Sequence, residues 1–266
     1  MLERGMHQGA SLLHTAPGTE LRFAAVAGVP DALGLETLWH LCAHLQHLGY
    51  PTVVLDGCTP ESEAAPGLEQ LLEQDPWAET PGPDWHSGAA SIAVLPSARG
   101  LHRLAHEAQA YGRPAPLAPL QPHFRAYALA VLHAPVQWLG PLLQASTATP
   151  LIFTPPGTAG TQQAYRQIKH LALHAGLPSQ VCAVVRGRES TRARRARAQI
   201  ATLQRCAADH LGIAQRGLVV DAENPQDLQR LALQLLENGG TIAGAGAPPL
   251  ALSHPGHAGH APFLSH

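Results

Sequence analysis

Short apolar runs recur along the chain at residues 21–27, 52–56, 91–95, 127–133, 150–154, 180–186 and 217–221. They are built from Val, Ile, Leu and Ala without polar alternation, the pattern of strands covered on both faces, as in a parallel sheet. The stretches between them carry helical periodicity, at about 34–48, 66–74, 99–111, 136–146, 158–175, 189–209 and 225–237. Asn224-Pro225 followed by Asp227 marks an N-cap with proline at the first helical position, and Gly176-Leu177-Pro178 marks a helix stop. Strand–helix alternation of this kind predicts right-handed βαβ units and an α/β fold. The sheet is expected to be doubly wound and mostly parallel, with about seven strands and helices on both faces. Residues 75–88, rich in Pro, Gly and Trp, predict a surface excursion, and residues 113–122, with four prolines, predict a lead into the strand at Tyr127. From Gly239 onward Gly, Ala, Pro and His dominate and predict a disordered tail.

Composition narrows this further. Hydrophobic residues make up 45% and charged residues 14%, which excludes a disordered chain. A formal charge of −2 supplies no general field for nucleic acid or an anionic membrane. No apolar run reaches the ~18 residues that a bilayer span needs, and residues 1–13 lack a secretory apolar core. Four cysteines without paired spacing argue against a disulfide framework or zinc ribbon, and for buried free thiols in a reducing, cytoplasmic setting. Of the 17 lysines and arginines, 16 are arginine and only Lys169 is lysine. Chemistry that needs a lysine elsewhere is thereby excluded.

The first apolar run ends Ala25-Val26-Ala27-Gly28, passes through Val29-Pro30-Asp31-Ala32-Leu33-Gly34-Leu35-Glu36-Thr37 into a helix, then through His47-Leu48-Gly49-Tyr50 into Pro51-Thr52-Val53-Val54-Leu55-Asp56. This layout resembles the opening of the MinD/ParA superfamily of P-loop NTPases, whose loop is a deviant Walker A, K-G-G-x-G-K-T/S-T/S. Such loops work because small residues let backbone N–H groups close around phosphates, while a lysine neutralises them and a hydroxyl holds Mg²⁺. The resemblance sets Gly28 at the start of this loop and Gly34 at its last glycine, with Leu35 at the lysine position, Glu36 at the Mg²⁺-hydroxyl position, and Thr37 kept. A carboxylate and an apolar side chain facing a triphosphate would repel it and leave it unneutralised. The run 127–133, followed by Ala134-Pro135-Val136, resembles the family's switch strand, with His133 at the aspartate position. The run ending at Arg186 resembles the one that ends in an adenine-contacting asparagine, and Asp56 matches an acidic position at the end of the second strand. The resemblance therefore implies a nucleotide-loop remnant and no cofactor, with ATP and Mg²⁺ expected only if arginine replaces the lost lysine.

Residues 154–169, Thr154-Pro155-Pro156-Gly157-Thr158 through Tyr165 to Lys169, are similar to the "TPEPTAITDAYALIK" stretch of FlhG-type (FleN-type) flagellar-number regulators. His7-Gln8-Gly9-Ala10-Ser11-Leu12-Leu13 resembles that family's "DQAxxLR" segment, matching at Gln8 and Leu12. In the family this segment activates an FlhF-type GTPase. The implied organisation is a partner-binding segment over 1–19, a MinD/ParA-like domain over 20–238 and a tail over 239–266. The implied role is regulation of flagellar assembly or placement through protein contacts, with constitutive partner binding or a nucleotide-free homodimer.

Two other readings compete. An active but divergent ATPase would use Arg186 or Arg188 on the phosphates, although a planar guanidinium fits a compact loop poorly. A metal-binding module would use the histidine pairs His40/His44, His102/His106 and His170/His174, each at i, i+4 on one helical face; none has a third ligand at a recognisable spacing, so no metal ligand is assigned. The arginines at 186, 188, 192, 194, 195 and 197 form a solvated face rather than a nucleic-acid site, given the near-neutral total charge. After Gly239 no basic residue supports a membrane helix. Without a G-x-S-x-G elbow, no catalytic residue is assigned.

Overall fold

The computed structural model describes residues 21–28, 31–75, 92–144, 146–187 and 191–242. The apolar runs become strands β1 (Leu21–Ala27), β2 (Thr52–Asp56), β3 (Ala93–Pro96), β4 (Leu129–Ala134), β5 (Leu151–Thr154), β6 (Gln180–Val185) and β7 (Arg216–Asp221). They alternate with α1 (Ala32–His47), α2 (Leu68–Glu73), α3 (Ala98–Tyr111), α4 (Val136–Leu142), α5 (Thr158–Ala175), α6 (Thr191–Leu211) and α7 (Pro225–Glu237). The sheet order is β3-β2-β4-β1-β5-β6-β7, every neighbouring pair parallel. This is the expected doubly wound α/β architecture.

Side-chain alternation along each strand builds two cores. Ala24, Val26, Val54 and Val131 face α1 (Leu38, Leu41, Leu45) and α7 (Leu228, Leu231, Leu235). Phe23, Ala25, Leu55 and Leu132 face the other layer, with Leu101 and Leu104 of α3, Leu139 of α4, Ile168 of α5 and Ile200 of α6. Cys42 and Cys182 are buried free thiols; burial pushes Cys42 up to about 12 and raises Cys182 further.

A few boundaries differ from expectation. The fourth strand begins at Leu129 rather than at 127, because the Tyr127 N–H closes a turn onto the Phe124 carbonyl (3.0 Å). α4 stops at Leu142, one residue after Pro141, which has no N–H to continue the ladder. Where a tail is expected from Gly239, Gly240–Ile242 form β8, antiparallel to the start of β1. A Cβ at Gly239 would lie 2.5 Å from the Phe23 carbonyl, and one at Gly240 would lie 2.6 Å from the Phe23 ring. These glycines permit close approach to β1 rather than ending order. Residues 1–20, 76–91 and 243–266 lie outside the described residues, and with them Gln8, Leu12, most of the surface excursion and the rest of the tail.

One buried carboxylate joins two helices. Glu61 is 2% exposed and accepts the N–H groups of Arg99 (2.7 Å), Gly100 (2.9 Å) and Glu69 (3.3 Å), at the N-terminal turns of α3 and α2. It satisfies donors that the helices cannot, at the end where their dipoles favour an anion. Among the described residues no helix is long and apolar enough to cross a membrane.

Candidate functional site

β1 and β4 are neighbours, yet the chain leaves β1 through α1 toward β2 and leaves β4 through α4 toward β5, on opposite faces of the sheet. The crevice beyond their carboxyl ends is therefore the topological switch point, where open α/β sheets bind ligands. Gly28 closes it on one side, its N–H donating to the Ala134 carbonyl at 2.8 Å.

The first turn of α1 points into this region, and an anion there would need its free N–H groups. Asp31 already takes that place. It is the N-cap, and its Oδ1 accepts the Gly34 N–H at 2.7 Å. Thr37 is fully buried, and its hydroxyl donates to the Leu33 carbonyl within the same helix at 2.7 Å. Leu35 is 36% exposed, and Leu33 and Glu36 line the adjoining cleft.

That cleft, of about 1040 Å³, lies beyond β5 and β6 and is flanked by α1, α5 and α6. Arg186, Arg192 and Arg195 line it against a single carboxylate, Glu36. Arg186 follows β6 directly rather than ending it, and its Nη2 meets Glu36 Oε2 at 2.8 Å. The two positions singled out separately, 150 residues apart, are thus partners. Both side chains are about half exposed, at 48% and 51%, so the pair fixes geometry more than it stabilises the fold.

A second pair sits on the other side of β1. Asp56 and His133 are register partners on β2 and β4, and His133 Nδ1 stands 2.9 Å from Asp56 Oδ1. An ionised carboxylate only accepts, so Nδ1 carries the proton. Asp56 also accepts the Thr59 hydroxyl (2.6 Å) and the Cys58 N–H (3.0 Å), and His133 Nε2 faces Cys58 Sγ at 3.9 Å. Burial alone would lower the His133 pKa, but its hydrogen bonds to Asp56 and Cys58 and their charges outweigh burial and push it up to about 9. For Asp56, burial raises, and the bonds from His133, Thr59 and the Cys58 N–H more than reverse it, leaving the carboxyl below its usual range.

Among the described residues, Asp56, Cys58 and His133 are the one group of three potential cation ligands, and none of the helical histidine pairs belongs to such a group. His102 packs edge-on against Trp138 (ring centroids 5.4 Å), and His170 against His174 (4.9 Å). Sequence reasoning missed two residues. Cys58 and Glu61 carry no local signal, because their partners lie 75 and 38 residues away.

No protein-family model matches the chain, and no curated protein matches it. Among solved structures the chain is similar to the MinD cell division protein of Aquifex aeolicus (13% identity over 79% of this chain and 86% of that one, TM-score 0.44). It is also similar to apo McdA of Cyanthece (16%, 82% and 92%, TM-score 0.48) and to a ParA family ATPase of Chlorobium tepidum TLS (10%, 83% and 91%, TM-score 0.43). At these scores the likenesses carry no functional argument, and the architecture rests on the sheet order and registers described above.

Proposed function

We propose that this chain is a regulatory protein of MinD/ParA type that works through protein contacts in flagellar assembly or placement and does not hydrolyse ATP. One observation carries the reading: the positions that would hold a nucleotide are engaged with one another. Asp31 occupies the Gly34 N–H, Arg186 holds Glu36, His133 holds Asp56, and Thr37 bonds inside its own helix. A triphosphate at α1 would meet the Asp31 and Glu36 carboxylates with no lysine to offset them. The partner surface implied by the resemblance is the segment with Gln8 and Leu12, and the partner an FlhF-like GTPase. Calorimetric titration with Mg·ATP is expected to give no heat of binding, and micromolar affinity would overturn the proposal.

The arginine-lined cleft favours a second reading, a divergent NTPase whose Arg186, Arg192 and Arg195 neutralise the phosphates. Steady phosphate release, abolished by Arg186→Ala, would establish it over the first.

A further inference from the structure

Cys58, His133 and Asp56 form a thiol–imidazole–carboxylate series at the switch point, and neither reading above uses the thiol. Cys58 is exposed, and its sulfur stands beside Gly28, where an added Cβ would lie 3.4 Å from Sγ. His133, 5% exposed, presents Nε2 to that sulfur at 3.9 Å, while Asp56 fixes the ring through Nδ1 at 2.9 Å. A thiol beside an imidazolium that a carboxylate orients is the arrangement that activates cysteine. We propose that Cys58 is a reactive thiol that forms mixed disulfides with low-molecular-weight disulfides, with the His133 imidazolium as its counter-charge and proton donor and Asp56 as the positioning residue.

Two competing chemistries fit the geometry less well. Acyl transfer needs backbone N–H groups free to hold an oxyanion. The described N–H groups around the sulfur are spent: Cys58 on Asp56 Oδ1, Gly57 on the His133 carbonyl, Gly28 on the Ala134 carbonyl and Thr59 on the Asp56 carbonyl. Disulfide exchange needs no oxyanion site, because sulfur itself carries the departing charge. A structural cation such as Zn²⁺ takes four donors. Here Asp56 Oδ1 is bonded to His133 and to the Cys58 N–H, so it is engaged inside the cluster rather than offered to an ion.

The step balances as follows. With His133 charged, Nε2 already carries the proton of the pair, and Cys58 attacks one sulfur of the disulfide as the thiolate. A Cys58 Sγ–S bond forms as the original S–S bond breaks, and its electron pair leaves on the second sulfur, which takes the proton from Nε2. The Cys58 sulfur is oxidised and the departing sulfur reduced.

Cys206, of intermediate exposure, is an internal reference, while Cys42 and Cys182 are buried. The full chain is incubated with glutathione disulfide, and adducts at each cysteine are timed by peptide mass mapping. Cys58 is expected to react about tenfold or more faster than Cys206. His133→Gln should remove that advantage without changing the Cys206 rate, Asp56→Asn should remove part of it, and Cys58→Ser should abolish the fast adduct. Equal rates at Cys58 and Cys206 in the unaltered protein would overturn the proposal, and that comparison needs no variant to fold. Tight uptake of zinc alone, with the Cys58 rate unchanged by His133→Gln, would also overturn it and make the cluster a cation site.

Discussion

The His133–Asp56 pair should make stability fall as the solution turns mildly alkaline. His133 is raised from 6.5 to about 9 in the folded chain. Its contribution is therefore complete below the unfolded value and is lost as pH rises through the folded one. The full displacement is worth about 3 kcal/mol, and linkage places about 2 kcal/mol of the loss between pH ~6.5 and ~8.5. Other groups interfere little in that window. Asp56 is lowered, so its contribution is present above its unfolded value and is lost only on acidification. His123 and His170 are lowered, first by burial and then by Arg125 and His174 respectively, so their effect is nearly complete by neutrality. The buried thiols Cys42 and Cys182 are raised and disfavour folding only at higher pH, by about 0.3 kcal/mol together at pH ~8.5. Urea unfolding at a series of pH values, with an unchanged slope, measures the effect directly. His133→Gln should flatten the curve across the window. A flat curve in the unaltered protein, or an equal slope in the variant, would refute a charged His133–Asp56 pair.

Glu61→Ala leaves three N–H groups at the starts of α2 and α3 without their acceptor and should cost about 2–4 kcal/mol in urea unfolding, with Glu61→Gln recovering part of it. A double-mutant cycle on the half-exposed Glu36–Arg186 pair should give a coupling under about 1 kcal/mol, falling with salt. Gly160→Ala would drive its Cβ into the Pro155 carbonyl and should destabilise by about 2 kcal/mol or more, unlike most helical Gly→Ala changes. Asp31→Ala should cost about 1 kcal/mol as a lost cap. If Asp31 and Glu36 are what exclude anions, Asp31→Ala with Glu36→Gln should add a phosphate-dependent rise in melting temperature that the unaltered chain lacks.

The sheet was legible because its strands are covered on both faces, so each apolar run stands out whatever its neighbours are. What periodicity could not reveal was order held by backbone proximity. Gly239 and Gly240 read as breakers, yet their missing side chains are what let β8 lie against Phe23. The site was legible position by position but not as pairs. Glu36 and Arg186 each stood out as a charge where the resemblance puts another residue type, and so did His133. That Arg186 answers Glu36, and His133 answers Asp56, depends on β6 lying one strand beyond β5 from β1 and on the register of β2 with β4. Local sequence does not encode that information.

The two pairs differ in what would follow from breaking them. Glu36 and Arg186 are each about half exposed, so either could stand alone in water at little cost. His133 and Asp56 have side chains only 6% and 17% exposed. Removing the histidine would leave a largely buried carboxylate held by Thr59 and the Cys58 N–H alone, and removing the carboxylate would leave a buried imidazole without the acceptor that sets its tautomer. Asp56 and His133 are therefore bound to one another physically, whereas Glu36 and Arg186 are free to change singly. Cys58 gives its N–H to Asp56 and turns its sulfur to Nε2, so the place of the thiol follows from the constrained pair.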